Sequence, residues 1–304
     1  MRLVYFGTSA FAVPALKALS ESVVLVVSQP DRPAGRGKKL RVLPVKAAAE
    51  EVGIPVLTPE RAREAAFVEH IRSLEADALV VASYGQILSE ALLQSAKRGG
   101  INLHASILPK YRGAAPIHRA ILEGETESGV TLIQMDKGMD TGDIIAIEKV
   151  AIGPDETTGE LEAHLSLLAA RMVAKWLPTI ATGFFARIPQ DDARATLAPK
   201  VNREDGLLKF QMSAGEAYRR FRVCTPRPGS GVETRFGFVK LLEARSAQGS
   251  GEPGEVLSVG NNGVAVAFAA GALIFLRVQL EGKHSISANA FANGHRLSPG
   301  SNLA

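Results

Sequence analysis

Through the first half of the chain, short continuous apolar runs alternate with segments whose apolar residues recur at helical spacing. Residues 2–7, 22–28, 78–83 and 100–104 read as strands, with a short extended piece at 54–57. Between them, residues 9–19, 44–51, 62–74 and 89–96 read as helices. The first tolerates Pro14 in its early turns, and the second stops at Gly53. Runs that are apolar at every position belong to strands covered on both faces. Their alternation with helices therefore predicts a doubly wound, mostly parallel α/β sheet of Rossmann-like type. Ligands are expected at the C-terminal ends of such strands. Residues 130–135 and 144–152 are β-rich and close together, and read as the last strands of this sheet. A long helix follows from about 158 to 180, with Thr157 as N-cap and Glu160 completing a capping box.

Beyond residue 186 the pattern changes. Residues 186–200 combine proline and charge without periodicity, as a linker would. The expected organisation is a catalytic domain at 1–189, a linker at 190–206 and a second domain at 207–304. In the second domain, 213–222 reads as a helix, and 254–259, 264–269 and 272–280 as strands. Asn261-Asn262-Gly263 supplies a hairpin signal between the first two of these strands. Short strands with a single helix predict a smaller OB-like β-barrel.

Composition narrows the class. A chain of 304 residues has room for two cores, and 46% hydrophobic with 22% charged residues is ordinary for a soluble globular protein. No apolar run approaches the roughly 18 residues of a membrane span. The run from Met1 to Phe6 is too short for a signal-peptide core. A lone cysteine, Cys224, excludes an intrachain disulfide and argues against a cysteine-rich metal site. A reduced cytoplasmic protein is expected, with no membrane association. Charge is unevenly spread: residues 1–199 hold 22 Lys and Arg against 23 Asp and Glu, whereas 200–304 hold 13 against 8. That asymmetry suits a polyanionic partner, although a solvated basic face has the same signature.

Candidate chemistry concentrates between Gly100 and Gly142. Asn102 and His104 are two apart on a buried strand, so both side chains leave on one face. Asp140 follows in Lys137-Gly138-Met139-Asp140-Thr141-Gly142, where glycines let the backbone curl round the acid. An amide can donate to a developing oxyanion, a histidine can donate a hydrogen bond or move a proton, and an acid can orient it. There is no Gly-x-Ser-x-Gly elbow for a covalent hydrolase, and no second histidine at metal spacing. His164 stands alone on the long helix and reads as structural. Gly7-Thr8-Ser9-Ala10-Phe11-Ala12 lacks the Gly-x-Gly-x-x-Gly of a dinucleotide site. Direct attack of a bound nucleophile on a carbonyl remains, beside the plainer reading of a capped strand end near an unrelated acid.

The whole string is more specific. Ile101-Asn102-Leu103-His104-Ala105-Ser106-Ile107-Leu108-Pro109, then Arg112-Gly113, then Gly138-Met139-Asp140-Thr141-Gly142-Asp143 resembles the folate-dependent formyltransferase family. Phe6-Gly7-Thr8 with Phe11, Tyr84-Gly85-Gln86-Ile87 and Arg112-Gly113-Ala114-Ala115-Pro116-Ile117 resemble it too. The resemblance is strong to about residue 160 and looser afterwards. It implies that Asn102, His104 and Asp140 are catalytic. It implies that Ser106, Ile107, Leu108 and Pro109 contact the folate, with Tyr84, Gly85, Gln86 and Ile87 on the pterin side. Ala105 and Ile107 replace a glycine and a leucine common in the family. The segment Gln29-Pro30-Asp31-Arg32-Pro33-Ala34-Gly35-Arg36-Gly37-Lys38-Lys39-Leu40 resembles the loop with which one branch engages tRNA. This likeness implies 10-formyltetrahydrofolate as co-substrate, methionyl-initiator tRNA as partner, tRNA contacts at Arg32, Arg36, Lys38 and Lys39, and no metal.

Overall fold

The computed structural model describes residues 1–34 and 39–304, with side chains described outside 32–41. Its contacts divide the chain into two units. The first comprises Met1–Pro116, Glu127–Ala151 and Glu162–Ala198, and the second Ile117–Thr126, Ile152–Leu161 and Pro199–Ala304.

In chain order the elements begin β1 (Leu3–Gly7), α1 (Val13–Leu19), β2 (Val23–Val27), β3 (Arg32–Ala34), β4 (Lys39–Arg41), α2 (Pro44–Glu51) and β5 (Val56–Leu57). They continue α3 (Ala65–Ser73), β6 (Ala78–Ala82), α4 (Glu90–Leu93), β7 (Gly100–His104), α5 (Pro116–Leu122), β8 (Glu127–Gln134), β9 (Ile144–Ala151) and α6 (Thr158–Thr182). The main sheet runs β5-β2-β1-β6-β7-β8-β9. Its first five strands are parallel, and β8 and β9 complete it antiparallel. Every residue of β1, β6 and β7 is buried, as continuous apolar runs require of strands covered on both faces. The doubly wound, mostly parallel sheet expected from the pattern is the observed one. After β1 the chain grows the sheet toward β2 and β5, then returns to place β6 on the other side of β1. In sheets of this kind, ligands bind outside the C-terminal strand ends at such a reversal.

Local chemistry explains several element ends. The helix expected from residue 9 opens as a single 3-10 turn, and the α-helix begins only at Val13, with Pro14 in its first turn. The capping box at α6 forms: Glu160 Oε2 accepts from the Thr157 amide at 2.8 Å and from its hydroxyl at 2.7 Å.

The second unit adds β10 (Leu207–Leu208), α7 (Ala214–Cys224), β11 (Ser230–Thr234), β12 (Gly237–Ala247) and β13 (Val256–Gly260). It ends with β14 (Gly263–Ala267), β15 (Ala272–Leu280), β16 (Ile286–Ser287) and α8 (Ala288–Gly294). These strands form a second sheet in the order β10-β11-β12-β15-β14-β13, with β16 on β15. Five strands of five or more residues carry it, and bulges at Glu243 bend the long β12–β15 pair. In the β13–β14 hairpin, Gly260 faces Gly263 across Asn261-Asn262, and Gly263 takes the positive φ of 108°. Phe210, Phe221, Phe268, Phe275 and Phe291 belong to its core. Among the described residues, no helix is long and apolar enough to cross a membrane.

Candidate active site

At the C-terminal end of β7, Asn102 and His104 leave the strand on one face, 8% and 6% exposed. The β8–β9 loop brings Asp140 to them. Asn102 Nδ2 donates to Asp140 Oδ1 at 3.1 Å, and His104 Nδ1 lies 3.5 Å from Asp140 Oδ2. The amide of Gly113 also donates to Oδ2, at 2.9 Å. The other ring nitrogen of His104, Nε2, lies 2.9 Å from the carbonyl oxygen of Tyr111. A carbonyl only accepts, so Nε2 carries a hydrogen. That leaves Nδ1 as the ring nitrogen that faces the Asp140 carboxylate.

The acid loop is built tightly. Asp140 sits at φ 57°, a left-handed conformation that Asp tolerates better than most residues. Asp136 Oδ1 closes the loop base, accepting from the Gly138 amide at 2.9 Å and the Thr141 hydroxyl at 2.7 Å. A Cβ on Gly142 would collide with the carbonyl oxygen of Gln134, so this position has room only for glycine.

Ser106 and Leu108 are buried, and Thr131 of β8 holds the turn that contains them. Its hydroxyl donates to the Ser106 carbonyl at 2.6 Å and accepts from the Leu108 amide at 3.1 Å. Ser106 Oγ donates to the Lys110 carbonyl at 2.7 Å. Ile107 and Pro109 are half-buried. At the end of the adjacent strand β6, Tyr84 is buried edge-on to Phe6, and burial pushes its phenol up to about 12. Gln86 is also turned inward: its Oε1 accepts from the Ala62 amide at 2.9 Å. Gly85, at φ 88°, and Ile87, 78% exposed, are the members of this loop open to a ligand.

Of the cationic segment, Arg32 and Lys39 lie on the paired strands β3 and β4, whereas Arg36 and Lys38 lie outside the described residues. The base of this hairpin is anchored at Asp31, whose carboxylate meets Lys46 Nζ at 2.5 Å and accepts from the Leu43 amide at 3.2 Å. The Lys46 hydrogen bond holds the Asp31 carboxyl below the usual range.

Sequence reasoning missed the residues that come from the presumed linker. Thr196 and Ala198 pair with the segment after β7: the Thr196 hydroxyl accepts from the Tyr111 amide at 2.9 Å, and Ala198 donates to the Arg112 carbonyl at 2.7 Å. Gln190 reaches the acid loop itself, donating to the Asp140 carbonyl at 2.8 Å. A segment without periodicity gives no warning of such pairing. Among the described residues, no group of three His, Cys, Asp or Glu could hold a metal ion.

The family model described as formyl transferase matches residues 1–177, more than half of the chain. The chain belongs to the formyl transferase family. The model for the formyl transferase C-terminal domain matches residues 200–296. The chain is 44% identical over 303 residues to the methionyl-tRNA formyltransferase of Citrifermentans bemidjiense, covering 99% of this chain and 95% of the relative. It is 44% identical to that of Sorangium cellulosum, covering 99% and 98%. Among solved structures, it is similar in fold to an N-formyltransferase from Helicobacter canadensis in complex with folinic acid and dTDP-3-aminofucose. That match has a TM-score of 0.68 at 18% identity, and covers 90% of this chain and 98% of the other. HypX from Aquifex aeolicus in complex with tetrahydrofolic acid matches with a TM-score of 0.65 at 16% identity, covering 96% and 47%.

Proposed function

We propose that this enzyme transfers the formyl group of 10-formyltetrahydrofolate to the α-amino group of methionyl-initiator tRNA. The observation that carries the reading is the contact of Asn102, His104 and Asp140 at the C-terminal sheet edge, in a chain similar end to end to methionyl-tRNA formyltransferases.

The nucleophile needs little activation. A free α-amine titrates near pH 7.7–8.0, and an ester on the same carbon lowers this, so much of it is neutral at about pH 7. Its lone pair adds to the N10-formyl carbon, and the carbonyl π pair moves to oxygen. Asn102 uses one amide hydrogen on Asp140 and has a second for that oxyanion, a contribution of roughly 2–4 kcal/mol in a dry site. Nε2 of His104 is held by the Tyr111 carbonyl and Nδ1 faces Asp140, so its part is to move a proton with Asp140 rather than to serve the oxyanion. The His104–Asp140 pair accepts a proton from the new ammonium and returns one to the departing N10. The C–N10 bond breaks, the oxyanion collapses to the formamide, and tetrahydrofolate leaves.

Residues 1–189 would carry catalysis. Ser106, Ile107, Leu108 and Pro109 would border the folate, mostly through backbone groups. Gly85 and Ile87 would meet the pterin, with Tyr84 and Gln86 bracing their loop from within. Arg32, Arg36, Lys38 and Lys39 would meet the tRNA acceptor end, and the basic residues 207–304 its phosphates. A cytoplasmic location follows from such a substrate.

The test is formyl transfer from 10-formyltetrahydrofolate to charged initiator tRNA, beside charged elongator tRNA and no tRNA. Transfer to the initiator alone is expected. Folate turnover that ignores tRNA would make the enzyme a small-molecule formyltransferase or hydrolase instead.

A further inference from the structure

Gln190 lies in the segment after α6 that has no periodic pattern, yet its amide is the most fully used in the first unit. Nε2 donates to the carbonyl oxygens of both Asp140 and Gly142, each at 2.8 Å. Oε1 accepts from Arg112 Nε at 3.0 Å and from Arg112 Nη2 at 2.8 Å. Two donor hydrogens and two acceptor lone pairs are all that a primary amide possesses. Arg112 is buried and fixes which end of the amide faces it, so the NH2 end must face the acid loop. Arg112 Nη2 also reaches Asp192, 81% exposed, at 2.7 Å.

The two carbonyls that Gln190 binds are those of Asp140 itself and of Gly142, so both lie on the C-terminal side of the left-handed turn at Asp140. Rotating that turn would swing the carboxylate away from Asn102 and His104. We propose that Gln190 is a positioning residue for formyl transfer. Oriented by Arg112, it holds the backbone that leaves the turn and so fixes the Asp140 carboxylate against its partners. The inference rests on the function proposed above for its kinetic consequence, but the clamp itself is a property of the loop.

Two variants separate the halves of the amide. Gln190→Glu keeps an acceptor for Arg112 and loses both donors to the loop, while Gln190→Met loses both ends. Each is expected to lower kcat by about 10- to 100-fold, the scale of misplacing a reacting group by an ångström or less. KM for the folate and for the tRNA should stay within about two-fold of the unsubstituted enzyme. Gln190→Glu should remain folded at the assay temperature, because it keeps the Arg112 contact. Asp192→Asn neutralises only the exposed arm of the network and should keep kcat.

Amide hydrogen exchange across residues 138–143 reads the clamp without any reaction, and should accelerate in both Gln190 variants. Unchanged exchange in Gln190→Glu would overturn the proposal whatever the substrate proves to be. So would unchanged kcat in that variant, a loss confined to KM, or an equal kcat loss in Asp192→Asn. Failure of the unsubstituted enzyme to formylate any tRNA would instead count against the proposed function, and the exchange measurement would still decide the clamp.

Discussion

Asp140→Asn separates what the acid does for the fold from what it does for the proton. The carboxylate accepts from two partly buried donors, Asn102 Nδ2 at 3.1 Å and the Gly113 amide at 2.9 Å. An alanine there orphans both. Each unsatisfied donor costs about 1–3 kcal/mol, less where water enters, so Asp140→Ala should lose about 2–4 kcal/mol of stability. Asparagine has the same shape and can still accept from Gly113 with its oxygen. Its NH2 then faces Asn102 Nδ2, donor against donor. Asn102 escapes by flipping its own amide, which satisfies the pair but turns its donor away from the oxyanion. Asp140→Asn should therefore cost no more than about 1 kcal/mol in stability. It should nevertheless lose on the order of 10²–10⁴ in kcat, because it cannot carry the proton and misaims Asn102. The assay is single-turnover formyl transfer paired with urea unfolding of all three proteins. A folded Asp140→Asn enzyme that keeps about a third or more of kcat would refute the proton-transfer reasoning.

Gly142→Ala places a methyl group against the carbonyl oxygen of Gln134, backbone against side chain with no room to yield. It should cost about 2–4 kcal/mol and abolish most activity by displacing the acid loop; a variant with wild-type melting and turnover would contradict the packing argument. Burial, with Arg119 adding to it and Asp205 opposing, holds His118 below its ordinary value. The unfolded chain then takes up that proton first, so this contribution to stability is intact above about pH 6.5 and falls as the pH drops below it. His118→Gln should shrink the difference in urea midpoint between pH 7.5 and pH 5, and an undiminished difference would exclude His118 as a source. Replacing Arg36 and Lys38 together by alanine should raise KM for charged tRNA and flatten its dependence on salt, leaving folate turnover parameters near wild type. An unaltered salt slope would remove these residues from the tRNA interface.

The sequence by itself determined the layers. Strands such as β1 and β6 are apolar at every position, so they had to be covered on both faces, and the helices between them made the sheet parallel. It also determined that Asn102 and His104 share a face, because a strand repeats every two residues. Capping was equally local: Thr157 and Glu160 announced the start of α6 and close on each other as expected. The resemblance named Asp140, but only the fold closes its sequence separation of 38 from Asn102 to a hydrogen bond of 3.1 Å. Direction was likewise a tertiary decision. Tyr84 and Gln86 turn inward while Gly85 and Ile87 face out, and no periodicity in a loop encodes that choice. The segment after α6 is the sharpest case. Gln190, Thr196 and Ala198 read as linker because they bury no repeating apolar face. Their contribution is hydrogen bonds to backbone groups about 50 to 90 residues away in sequence. Such bonds depend on where another segment's carbonyls and amides finish, and only the assembled sheet sets that.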